Sequence, residues 1–227
     1  MAEASTRTVE RALGLVAAVC ERGNASLAEA ARDVGLPAST ALRLMRTLEN
    51  ASFLRRDEDG TYRAGSRLIQ LGARAFSKEM LVSLCRRPME DVVELTGESV
   101  YLSIEGHHET ALYIAIVEGT HSVRHTNWVG RTIPLETSAA GRVLRDAVPE
   151  AGYVVVESTV ESDVTAISAP IRAGERVVAA LSILVPTYRV DDVKAARFGQ
   201  LLLEAAREVS HGLGEGSGAG DDKESSR

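Results

Sequence analysis

The chain has 227 residues, 44% of them hydrophobic, and a formal net charge of −6 at neutral pH. That length and apolar content suit two domains with a core each, and no apolar run approaches the ~20 residues that span a bilayer. The start MAEASTRTVERALG carries an early acid and no apolar signal core, so a cytoplasmic protein with no membrane partner is expected. The charge is unevenly split: residues 1–77 hold eleven Arg and nine acids, a net of +2, whereas residues 78–227 sum to −8. A mildly basic module joined to an acidic one has the sign expected if the first part binds nucleic acid.

In chain order, TRTVERALGLVAAVCERG places Val9, Leu13, Val16, Ala17 and Cys20 at helical spacing, with Thr6 or Thr8 as N-cap and Gly23 as stop. Cys20 and the distant Cys85 have no CxxC or catalytic context and read as buried free thiols. SLAEAARDVG opens with Ser26 three residues before Glu29, a capping box, and ends at Gly35. Gly35-Leu36-Pro37 leaves room only for a tight turn before a third helix anchored by Leu42, Met45 and Leu48. Two short helices joined in this way form a helix-turn-helix unit. SFLRRDEDGTYRAG then reads as a hairpin turning at Asp57-Glu58-Asp59-Gly60, the wing of a winged helix.

The run SLAEAARDVGLPASTALRLMRTLENASFLRRDEDGTYRAGSRLIQLG resembles the DNA-binding domain of the IclR family of bacterial transcriptional regulators, in spacing and in residue type. The resemblance implies that the third helix enters the major groove of operator DNA. Ser39 and Thr40 at its start suit phosphate, Arg43 suits the O6 and N7 of guanine, Arg46 suits phosphate one turn on, and Thr47 completes the face. In the wing, Arg55, Arg56, Thr61 and Arg63 are candidate backbone contacts. Their alternative role is to neutralise the acidic tip.

Ser66 caps RLIQLGARAFSKEML, where Leu68, Ile69, Leu71, Ala75 and Phe76 make a wide apolar face; the resemblance makes this a linker helix between domains. LVSLCRRPMEDVVELTGE is a further helix, with Pro88 at a kink or a new start. Two alternating strands flank Glu105-Gly106-His107-His108, and more strands follow in YVVVEST, VTAISAPI and RVVAALSILVP, the last two joined at Ala173-Gly174-Glu175. A long amphipathic helix closes the domain. The expected fold class is α+β: a winged helix-turn-helix domain over 1–65, a linker helix over 66–79, a second domain with an antiparallel sheet over 80–213, and a disordered tail over 214–227.

The second domain is similar to the GAF-like effector domain of the same family through VGRTIPLETSAAGRVL and the run from GYVVVEST to ALSI. In PLETSAAGRVL, Thr137 or Ser138 can cap the next helix, while Ala139, Ala140 and Gly141 either leave amides open to a ligand carboxylate or let helix pack closely on sheet. The resemblance favours an effector site. Its candidate residues are Tyr101, Ser103, Trp128, Gly130, Ile133, Leu135, Thr137, Ser138, Ala139, Ala140, Ile167 and Ser182, and its ligand a small organic acid or similar metabolite. One departure stands out: the family usually has additional helices where this chain has only Pro149-Glu150-Ala151. The pocket is therefore more open, altered in ligand choice, or lost; in the last case the domain is a protein-interaction or dimerisation module.

His121 and His125, and the pair His107-His108, lack an accompanying Cys or carboxylate pattern, so no metal and no cofactor are expected. No GxGxxG, P-loop, GxSxG or HExxH occurs, and the protein is not expected to be an enzyme. The expected assembly is a homodimer on double-stranded operator DNA, with pairing of dimers into tetramers left open.

Overall fold

The structure is a computed structural model that describes residues 3–77 and 80–216. It divides into two compact units, Met1–Glu79 and Met80–Arg227. Among the described residues, no helix is long and apolar enough to cross a membrane.

In the first unit, α1 (Glu3–Arg22), α2 (Leu27–Asp33) and α3 (Ala38–Asn50) are followed by the hairpin β1 (Leu54–Arg56) and β2 (Tyr62–Ala64), then α4 (Ser66–Ser77). The capping box is present: the Ser26 side chain accepts from the Glu29 amide, and the Glu29 carboxylate accepts from the Ser26 amide at 2.8 Å. Leu15, Val19, Ala30, Ala31, Ala41, Leu44, Met45, Leu54 and Tyr62 form one core, with Leu48 packed at its edge.

The structure corrects three expectations here. Helix α1 begins at Glu3, so Thr6 and Thr8 both lie inside it and not at an N-cap position. Its buried face is Leu15, Ala18 and Val19, while Val9, Leu13 and Cys20 are exposed. The helix is apolar on two sides, and the side offering Leu15 and Val19 one turn apart is the one that meets α3. On α4, Ile69 and Leu71 are likewise exposed; Ala75, Phe76 and the 78–79 junction lie outside the described side chains, while of the expected tail residues 214–216 belong to the last helix and 217–227 lie outside the described residues.

The second unit contains α5 (Met80–Thr96), β3 (Ser99–Glu105), β4 (Thr110–Val117), β5 (Thr132–Pro134), α6 (Ala139–Leu144), β6 (Val154–Glu157), β7 (Val164–Ala173), β8 (Arg176–Pro186), a 3-10 turn at Thr187–Arg189 and α7 (Asp192–Gly216). Pro88 lies within the single helix α5 rather than at a new start. The six strands form one antiparallel sheet in the order β5-β4-β3-β8-β7-β6.

Strand alternation separates two cores. Leu102, Ile167, Leu181 and Ile183 face α5 and α7, where Cys85, Met89, Leu202 and Ala206 pack on them. Tyr101, Tyr113, Ala180 and Leu184 share the other core with Ala139, Ala140 and Val143 of α6. Only Arg145 to Tyr153 separates α6 from β6, closed by a turn in which Gly152 donates to Pro149 at 2.9 Å.

Candidate functional site

Helix α3 starts without a side-chain cap. Pro37 precedes it, and its carbonyl accepts from the amides of Thr40 and Ala41, each at 3.0 Å. Ser39 and Thr40 therefore occupy the first turn itself instead of capping it. Ser39, Arg43, Arg46 and Thr47 are exposed and Thr40 is half-buried. The Thr47 hydroxyl donates to the Arg43 carbonyl at 3.1 Å. Arg43 and Arg46 make no ion pair among the described residues.

The wing is different, because its cations are already engaged. Arg63 pairs with Asp57, and Arg55 Nε lies 3.8 Å from the same carboxylate. Arg56 sits over the Tyr62 ring at 5.7 Å. Thr61 donates its hydroxyl and amide to Asp59 Oδ1, at 2.7 and 2.9 Å, which holds that carboxyl below its usual range. On α3, then, Arg43 and Arg46 are free among the described residues, whereas the cations of the wing are already engaged.

The second site lies on the α6 side of the sheet. Ser138 caps α6, its hydroxyl accepting from Gly141 N–H at 3.0 Å and donating to the Pro134 carbonyl at 2.5 Å. A Cβ on Gly141 would fall 2.2 Å from the Leu135 carbonyl oxygen, so only glycine lets α6 approach the chain this closely. Trp128, Ile133, Ser138, Ala139, Ala140 and Ser182 are brought together around one pocket. Also lining it are ten residues that the sequence does not single out for it, among them Tyr113, His125, Glu161 and Ser168. Ser168 and Ser182 pair across β7 and β8 at 2.7 Å.

Other candidates stand elsewhere. Tyr101 is buried behind the pocket, its ring 4.8 Å from that of Tyr113. Ser103 donates to the Ala180 carbonyl at 3.4 Å, and Leu135 is buried beneath α6. Gly130 and Thr137 are exposed. Ile167 points into the core of the opposite face. The free volume of the pocket is about 30 Å³, which accommodates one or two waters. With the α6–β6 connection short, the pocket on this side of the sheet is small.

Two loops border the pocket: residues 118–131, carrying His125 and Trp128, and residues 158–163, carrying Glu161. The first is fastened at its base by Glu98, a buried carboxylate whose Oε1 accepts from Arg189 Nη1 at 2.8 Å and lies 3.6 Å from His121 Nε2. Arg189 Nη2 also donates to the Val123 carbonyl at 2.8 Å. At its tip, His125 Nε2 lies 3.1 Å from Glu161 and Nδ1 lies 2.7 Å from the Tyr101 hydroxyl, which also contacts the Thr126 carbonyl. Burial lowers the proton affinity of His125, with Glu161 pulling the other way. Burial likewise pushes up the Tyr101 and Tyr113 hydroxyls, keeping both neutral.

Comparison with known proteins bears on both units. The model of the IclR helix-turn-helix domain matches residues 8–58, and that of the bacterial transcriptional regulator IclR C-terminal matches residues 73–151 and 146–211, two pieces meeting at the shortened connection. The HTH-type transcriptional regulator XynR of Escherichia coli (strain K12) is 27% identical over an alignment of 254 positions, gaps included, covering 92% of this chain and 97% of the relative. A crystal structure of an IclR transcriptional regulator from Alicyclobacillus acidocaldarius superposes with a TM-score of 0.78 at 23% identity, covering 92% of this chain and 99% of that one. An IclR homolog from Microbacterium hydrocarbonoxydans, complexed with 4-hydroxybenzoate, gives 0.76 at 24%, covering 91% and 98%.

Proposed function

The chain belongs to the IclR family of bacterial transcriptional regulators, and on that premise we propose that it is a dimeric, effector-responsive regulator. Residues 1–65 read DNA, 66–79 connect, and 80–213 take a small organic acid or similar metabolite in the α6 pocket. The observation that carries the DNA side is the unpaired pair Arg43 and Arg46 on the exposed face of α3. In this reading Ser39 and Thr40 meet phosphate, Arg43 reaches a guanine edge, and Arg46 meets phosphate one turn on. Two such helices about 34 Å apart read a pseudo-palindromic operator. An effector that prefers one arrangement of the dimer changes operator affinity by the same factor by which operator changes effector affinity.

The ligand side is supported by the largely apolar pocket with its few convergent hydroxyls and by the homolog that carries 4-hydroxybenzoate. An electrophoretic shift assay on DNA flanking the protein's own gene tests the first half. Specific retention is expected, and retention unaffected by Arg43→Ala would sink the base contact. A thermal-shift screen of metabolites tests the second half; silence across aromatic and aliphatic acids would favour the interaction-module reading.

A further inference from the structure

The hydrogen-bond chain across the pocket mouth has three links: Tyr101 Oη to the Thr126 carbonyl, Tyr101 Oη to His125 Nδ1, and His125 Nε2 to Glu161. Each link needs one proton. A carbonyl and an ionised carboxylate can only accept, so the protons must come from the tyrosine hydroxyl and the imidazole. Tyr101 brings one and a neutral histidine brings one. The closed arrangement is therefore one proton short unless the chain takes up another, held mainly as an imidazolium between Tyr101 and Glu161. When that proton is absent, one link must fail. The link to Glu161 is the weakest candidate to survive, because Glu161 is 43% exposed and can turn to water, whereas the histidine side chain is 6% exposed and Tyr101 is buried.

We propose that Tyr101, His125 and Glu161 form a proton-operated latch on the effector pocket, closed when the chain binds its extra proton and released from the 158–163 loop when it loses it. This rests on reading the pocket as an effector site. A free volume of about 30 Å³ means that no metabolite enters without a loop moving, and the latch joins the two loops that must part. The groups facing His125 are few. Glu161 from the β6–β7 loop favours its charge, Arg131 of its own loop opposes it, and Tyr101 of β3 is neutral. Glu118 lies near Tyr101 and is itself paired with Arg124 at 3.1 Å. Burial outweighs Glu161, so release falls on the acid side of the usual histidine value and the latch is open near neutrality.

The test needs no effector, because Trp128 is the single tryptophan and its ring lies 4.7 Å from that of His125. Emission of the full-length protein is expected to fall on acidification as an imidazolium forms beside the indole, with its midpoint below 6.5. Acrylamide quenching is expected to be weaker on the acid side, where the mouth is shut. His125→Gln removes the transition. Glu161→Gln, on the exposed loop, keeps it but moves the midpoint down by about one unit. A transition that survives His125→Gln, a midpoint indifferent to Glu161→Gln, or equal quenching on both sides overturns the latch. Binding of 4-hydroxybenzoate, followed by calorimetry at pH 5 and pH 7.5, is expected to be favoured at the higher pH. Affinity no higher at pH 7.5 than at pH 5 overturns the latch's role in entry; no binding of this or of other aromatic and aliphatic acids at either pH, with the fluorescence transition intact, overturns the effector reading while leaving the proton chain standing.

Discussion

At the scale of single residues, Arg43 and Arg46 are both exposed and unpaired, yet they should fail differently. Arg43→Ala is expected to cost about 1–3 kcal/mol on the best operator and to relax preference at one base pair. Arg46→Ala should weaken all sequences alike and reduce the slope of log affinity against log salt by about one. Binding isotherms at several salt concentrations, on matched and mismatched duplexes, separate the two. A second residue-scale contrast concerns Glu98, whose Oε2 is buried with no hydrogen-bond partner among the described residues. Its charge is compensated through Oε1 by Arg189, so Arg189→Met should cost roughly 3–5 kcal/mol by stranding the carboxylate. Adding Glu98→Gln should return much of that loss. Equal denaturant midpoints for the single and double variants would refute the coupling.

At the scale of elements, α6 is six residues long and cannot stand on propensity; it is held by its cap and by close approach to the chain before it. Ser138→Ala should cost about 1 kcal/mol through the lost bond to Gly141. Gly141→Ala should cost more, since a methyl group would meet the Leu135 carbonyl. Urea denaturation of both variants gives the ranking, and the reverse order would refute it. The contrast also shows why some elements could be read in advance and others not. The capping box of α2, the wing and the Ser138 cap are written in contiguous residues, so local rules reach them. The buried face of α1 is not legible in this way, because both sides of the helix are apolar and only the tertiary partner chooses between them. Tyr113, His125 and Glu161 come from three separate segments, and nothing local foretells that the sheet order β5-β4-β3-β8-β7-β6 will bring them to one pocket.

At the scale of the whole molecule, two opposing effects act as pH falls towards the isoelectric point near 5.5. Loss of the net negative charge relieves self-repulsion and favours the compact state. His125 acts in the other direction. Its folded-state proton affinity lies below the usual 6.5, so between its folded pKa and that value the unfolded chain binds more protons and stability rises with pH. The contribution is therefore present above 6.5 and lost as pH falls through the folded pKa. Closing the latch by protonation thus weakens the unit that it closes, so the proposed latch is released near neutrality and engages as the pH falls. The comparison that isolates this effect is the difference between the intact wild type and His125→Gln, since charge relief is nearly common to both. Scanning calorimetry from pH 5 to pH 7.5 should show the wild type losing melting temperature on acidification relative to the variant, with the two curves parallel above about pH 7. A difference that stayed constant across the range would mean that folding does not lower the proton affinity of His125.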